Sequence, residues 1–228
     1  MNFDNACEGI KKMIFAQYFS LLSAASGVLA MIVSAIIASV VSSSFMAMAT
    51  GGANNATTAK VLSIGSGAVL LSVATLALGI VSSVFMIIGL VKAKSDELNF
   101  QTALMFTFIS LGCTLGASVF SKVPVLPILI GIGGSVCALL AIMYVFKAVM
   151  NLSEMIGEMG MVEDGKVSLK IYLILKGIGI LSSILPSVFP IAAVSTLFNI
   201  IGIAATVLST LVVLRYLLKA QKTLSLSV

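Results

Sequence analysis

The sequence predicts an all-α, polytopic transmembrane helix bundle: six spans in one domain, arranged as three hairpins, with both termini cytoplasmic. Three observations carry that expectation. Hydrophobic residues make up 60% of the 228 positions and charged residues 9%, against roughly 25% charged in soluble chains. Six apolar stretches reach the ~20 residues that a helix needs to cross hydrocarbon. All eight acidic residues, and all of the thirteen Lys and Arg except Lys60 and Lys122, can lie on one side of a membrane crossed six times. A soluble chain of this length could not hide so much apolar surface, so lipid is the solvent. The alternating segments of about ten residues that mark barrel strands do not occur.

Residues 1–12 read as an interfacial amphipathic segment, with Phe3, Ala6, Cys7, Ile10 and Ile14 on one face and Asp4, Glu8, Lys11 and Lys12 on the other. The first span, 13–41, is about twice the length of a signal-peptide core. Although Ala47-Met48-Ala49 resembles a cleavage site, the segment is read as a retained helix. Residues 42–60 are small and polar, with Gly51-Gly52 and Asn54-Asn55, and are expected to be a flexible loop. Asn55-Ala56-Thr57 has the form of a glycosylation sequon, a triplet frequent by chance. The second span, 61–91, leads into a charged turn, 92–101, carrying Lys92, Lys94, Asp96 and Glu97. Spans three and four, 102–120 and 125–150, are joined by 121–124, with Pro124 and Pro127 suited to a helix start. A cytoplasmic loop at 151–167 precedes span five, 169–186, which Pro186 and Pro190 separate from span six, 191–216. Only Lys60 and Lys122 fall on the far side, so the positive-inside rule puts the charged side in the cytoplasm.

Each even-numbered span ends in bulky apolar residues followed by Lys-Ala: Leu90-Val91-Lys92-Ala93, Val145-Phe146-Lys147-Ala148 and Leu217-Leu218-Lys219-Ala220. Either the hairpins arose by duplication, or helix ends on the inner side recruit lysine to the interface.

Several residues are candidates for function, and each has a plainer reading. Lys176, about two turns into span five, is the ionisable side chain that comes nearest to lying inside the membrane. With Lys170 it could meet an anion or a lipid headgroup at the cytoplasmic mouth, beside Tyr172; the plainer reading is that it snorkels to the interface. Asn199 on span six, followed by Thr196, Thr206 and Thr210, can bond a substrate or, more simply, a neighbouring helix. Gly112 and Gly116 form a GxxxG on span three, and Ala30, Ser34 and Ala38 repeat that spacing on span one, as faces for helix packing or self-association. Gly131, Gly133 and Gly134, like Gly65-Ser66-Gly67, lie in apolar spans and follow no strand, so they are not phosphate loops. In 151–167 a short helix would put Glu154 and Glu158 on one face and Met155 and Met159 on another, with Glu163 and Asp164 adding acidity. That surface could dock a soluble partner or rest its methionines on the bilayer.

Histidine is absent and no span carries Asp or Glu, which removes the common residues of metal-dependent and aspartyl chemistry. The three cysteines have no framework or zinc spacing, and Cys113 and Cys137 read as packing residues. No cofactor or metal site is expected. The +5 charge sits at span ends rather than in a basic stripe, which argues against nucleic acid as a partner.

The stretch Gly89-Leu90-Val91-Lys92-Ala93-Lys94-Ser95-Asp96-Glu97-Leu98-Asn99-Phe100, and the opening Phe3-Asp4-Asn5 with Gly9-Ile10-Lys11-Lys12-Met13-Ile14-Phe15-Ala16, resemble small uncharacterised six-helix membrane proteins of Firmicutes, especially clostridia. The acidic residue often found soon after that Ala is Gln17 here. The resemblance implies a bacterial cytoplasmic membrane and lends no activity. The expected role is that of a non-catalytic multi-pass membrane protein, an accessory or scaffold subunit or a membrane-homeostasis protein. Its partners would be the lipid bilayer, a cytoplasmic or membrane protein, or further copies of itself. The rival is a permease subunit driven by a separate cytoplasmic ATPase.

Overall fold

The computed structural model describes residues 3–49, 55–120, 126–188 and 192–226, and within these the side chains of all but 40–49, 55–68, 118, 187–188, 192–193 and 226. Gly51-Gly52, Asn54, Lys122, Pro124 and Pro190 lie outside the described residues, as do the side chains of Lys60 and of Asn55-Ala56-Thr57. The fold is all-helical, with α1 (Asp4–Ala49), α2 (Asn55–Ala93), α3 (Leu98–Val119), α4 (Leu126–Met155), α5 (Met159–Val188) and α6 (Ala192–Leu226). Each contains a stretch long and apolar enough to cross a membrane, and no strand occurs among the described residues.

The helices overrun the expected spans at several ends. α1 is continuous from Asp4, so the amphipathic start belongs to the first helix, and it runs on to Ala49 through Phe45-Met46-Ala47-Met48-Ala49. Alanine and methionine are strong helix formers, and their propensity outweighs the small polar residues that suggested a loop from 42. The expected loop 151–167 is mostly helical too: α4 continues to Met155 and α5 begins at Met159. Between them, Gly157 adopts a φ of +79°, a conformation that costs glycine nothing. Its N–H donates to the Glu154 carbonyl (3.0 Å) and the Glu158 N–H to the Ser153 carbonyl (2.9 Å). This is the paired closure that ends many helices, and it divides the short helix anticipated there. Pro186 falls in the last turn of α5, where its missing N–H leaves the Ser182 carbonyl without the usual i→i−4 bond, and the helix ends two residues later.

The chain forms two compact units: 1–18 with 82–228, and 19–81. In the larger unit α3 packs against α4, α5 against α6, and α4 against α5. The start of α1 meets the end of α2 backbone to backbone. A Cβ on Gly9 would lie 2.5 Å from the Gly89 carbonyl oxygen, and one on Gly89 would lie 2.6 Å from that of Gly9. Seven residues along each helix, in opposite directions, the Ser82 hydroxyl donates to the Ala16 carbonyl (2.8 Å). α3 and α4 interlock where the Ser110 hydroxyl donates to the Gly134 carbonyl (2.9 Å) and a Cβ on Gly134 would sit 3.0 Å from that of Cys113. α5 and α6 meet closely at Ser182 and Gly202. Small residues at crossings are what bundles need where lipid supplies no hydrophobic drive between helices.

In the smaller unit the Ser23 hydroxyl donates to the Thr75 carbonyl (3.0 Å) and the Ser26 and Thr75 hydroxyls lie 2.9 Å apart. Leu22, Leu29, Ile32, Leu70, Leu76 and Ile80 point outward, as lipid-facing side chains do.

The three Lys-Ala helix ends occupy matching environments. Leu90, Val145 and Leu217 are buried, as are Ala93, Ala148 and Ala220, while Lys147 and Lys219 are exposed and Lys92 is half-buried.

Replacing Gly89 with valine should lower the stability of the detergent-solubilised protein by about 2 kcal/mol, because two backbones must separate. Gly112, with open space around it, is the control: Gly112→Val should change stability by no more than about 0.5 kcal/mol. Thermal unfolding of the two variants side by side checks both.

Candidate functional site

Two regions of the larger unit gather polar chemistry: the charged end of the helices, and a groove between α4 and α5.

At the charged end, the turn after α2 ties three helix ends together. Asp96 accepts hydrogen bonds from the Ala6 N–H (2.7 Å) and the Asn5 amide (3.3 Å), capping α1 from another part of the chain. Its neighbour Glu97 caps α3, accepting from the Asn99 N–H (2.6 Å), and also accepts from the Asn151 amide (3.1 Å) near the end of α4. These carboxylates meet the unpaired N–H groups that every helix start presents. Lys92 pairs with Glu8 and Lys219 with Asp164. The starts of α1, α3 and α5 and the ends of α2, α4 and α6 therefore lie at one end of this unit.

The acidic residues expected to form a docking surface separate into two kinds. Asp164 is engaged by Lys219. Glu154, Glu158 and Glu163 are exposed and have no partner among the described residues. Met155 and Met159 are 57% and 62% exposed, one on either side of the Gly157 turn.

The groove is formed by two adjoining cavities of about 220 and 260 Å³ that share Ser135, Ile180 and Ser183. Lys176 and Thr206 line one end; Pro127, Ile132 and Ile184 line the other. On α5 the residues 176, 180 and 183 recur at helical spacing, which puts them on one face. The hydroxyls are already committed: Ser135 donates to the Gly131 carbonyl (2.9 Å), Ser183 to that of Ile180 (2.7 Å) and Thr206 to that of Gly202 (2.9 Å). They turn lone pairs, not protons, toward the groove. The half-buried Lys176 amine has neither a carboxylate nor a hydrogen-bond partner among the described residues.

One turn before Lys176, Tyr172 packs on Phe146 (ring centroids 6.0 Å), which stacks on Tyr216 (4.7 Å). All three rings are at most 2% exposed and form a dry layer across α5, α4 and α6, between the groove and the charged end. The Tyr216 hydroxyl is buried without a partner among the described residues.

The other sequence candidates fall elsewhere. Lys170 is exposed, away from the groove lining, and Asn199 is exposed on α6 with no hydrogen bond among the described residues. Gly116 lies 3.8 Å from Ile130 by its would-be Cβ. Ala30 is half-buried, and Ser34 and Ala38 are exposed. Ser135 and Ser183 were not singled out from the sequence, although the i, i+7 relation of Lys176 and Ser183 inside an apolar helix was a usable signal. Among the described residues no group of three His, Cys, Asp or Glu side chains could hold a metal ion.

Six membrane-crossing helices packed through small residues, with their charges at the helix ends, define a multi-pass α-helical membrane protein. No protein-family model, curated protein or solved structure matches the chain.

Removing the orphaned hydroxyl tests the dry layer. Tyr216→Phe should leave the protein as stable as before or raise its stability by about 1 kcal/mol, since an unpaired buried group is deleted without loss of stacking. Thermal unfolding in detergent reads the change.

Proposed function

We propose that this chain is a non-catalytic accessory or scaffold subunit of a bacterial cytoplasmic membrane, presenting the charged end of its bundle to a cytoplasmic partner. The observation that carries this reading is the contrast at that end. Asp96, Glu97, Glu8 and Asp164 are spent on holding helix ends together, whereas Glu154, Glu158 and Glu163 stand free beside two exposed methionines. A surface of fixed backbone, free carboxylates and adaptable thioethers suits protein contact. The excess of Lys and Arg among these charged segments supports their cytoplasmic location. The groove beside Lys176 favours a second reading, a permease subunit whose α4–α5 turn couples to a separate ATPase.

Affinity purification of the tagged protein from native membranes in mild detergent should recover a stoichiometric partner. The triple variant Glu154→Gln, Glu158→Gln, Glu163→Gln should lose it while unfolding at the same temperature. A partner that hydrolyses ATP would select the permease reading, and recovery of the chain alone would remove the docking role. For orientation, cysteines placed singly at Ser43 or Asn54 in a cysteine-free background should react with an impermeant thiol reagent added outside intact cells. A cysteine at Glu163 should react only after permeabilisation, and the reverse pattern would invert the topology.

A further inference from the structure

We propose that the α4–α5 groove is a binding site for an anionic lipid, with its phosphate paired to Lys176 and an acyl chain laid along Ser135, Ile180 and Ser183 toward Ile132 and Ile184. The argument begins with charge. Lys176 lies six residues beyond Lys170 on α5, about 9 Å deeper into the membrane at 1.5 Å per residue. An amine at that depth is costly unless it is paired, and none of the eight carboxylates of the chain is paired with it. The Tyr172–Phe146–Tyr216 layer lies between it and the charged end, where snorkelling would otherwise carry it. Among the described residues the chain offers no counter-ion for it, which leaves an anion from outside the chain free to take that place.

The groove lining decides the shape of that counter-ion. The hydroxyls of Ser135, Ser183 and Thr206 all donate back to their own helices, so Lys176 is the donor that the lining offers to an anion. An oxygen-rich group fits at Lys176 and is repelled by lone pairs further along, where the walls are otherwise isoleucine, proline and glycine. A ligand with one anionic end and an apolar remainder satisfies both halves. Entry is lateral: Ile128, Ser135, Ala138 and Ser183, all on the lining, are exposed on the flank of the helices. The same pairing could be made by free phosphate, which the experiment separates from lipid.

The test uses the full-length protein in maltoside detergent, with thermal unfolding followed after adding dioleoylphosphatidic acid, dioleoylglycerol or inorganic phosphate. Saturating phosphatidic acid should raise the midpoint by about 5 °C, while dioleoylglycerol and inorganic phosphate should not. Lys176→Met should abolish the shift and Lys170→Met should keep it. Ser183→Leu, which fills the groove and leaves the amine in place, should also abolish it and decides the matter should Lys176→Met fail to fold. An equal shift in Lys176→Met or with dioleoylglycerol would overturn the charge pairing. An equal shift with inorganic phosphate alone would overturn the lipid.

Discussion

Two adjacent carboxylates hold the charged end of the larger unit in register. Asp96 takes the free N–H of Ala6 at the start of α1, and Glu97 takes that of Asn99 in α3 and the Asn151 amide in α4. In water such bonds contribute modestly, because each competes with hydration. At a membrane surface they set where each helix begins its crossing, and a helix displaced by one turn would carry about 5.4 Å of polar chain into hydrocarbon. The close contact of Gly9 with Gly89 follows from this clamp. Only when α1 starts beside the 94–97 turn do the two glycines face each other and let the backbones touch. The groove lies further along the same frame, with α4 and α5 held at their near ends by Asn151 and by the Gly157 closure.

Charge and hydrophobicity made the class of fold legible before any coordinates, because lipid imposes one rule on every residue of a span. Helix ends were less legible. Residues 42–49 and 159–167 read as loop because they are small or charged, yet propensity and the packing of neighbouring turns keep them helical. Crossing points were legible only in part. The sought GxxxG at Gly112 and Gly116 meets open space or an ordinary 3.8 Å contact. The tight crossings instead pair single glycines and serines a heptad apart on antiparallel helices, Gly9 and Ala16 against Gly89 and Ser82. A pattern split between two distant segments has no signature in either one alone.

The candidate groove shows the same limit. Lys176 stood out because a charge in an apolar helix is rare, but its surroundings depend on α4 and α6, which sequence spacing cannot bring alongside. Asn199 stood out as a strongly polar, uncharged side chain in an apolar span, and it lies on an exposed face. The polarity of a residue announces that it needs a partner; only packing tells whether the chain supplies one.

The layer of Tyr172, Phe146 and Tyr216 has an electrical consequence. The Tyr216 hydroxyl inside it bonds to nothing among the described residues, so no hydrogen bond among them links it to Asp164 or to the groove. Three rings joined in a row, each at most 2% exposed, make this level of α4, α5 and α6 aromatic and closely packed. A layer of buried rings has the low polarity of hydrocarbon, so charges on its two sides are weakly screened from one another.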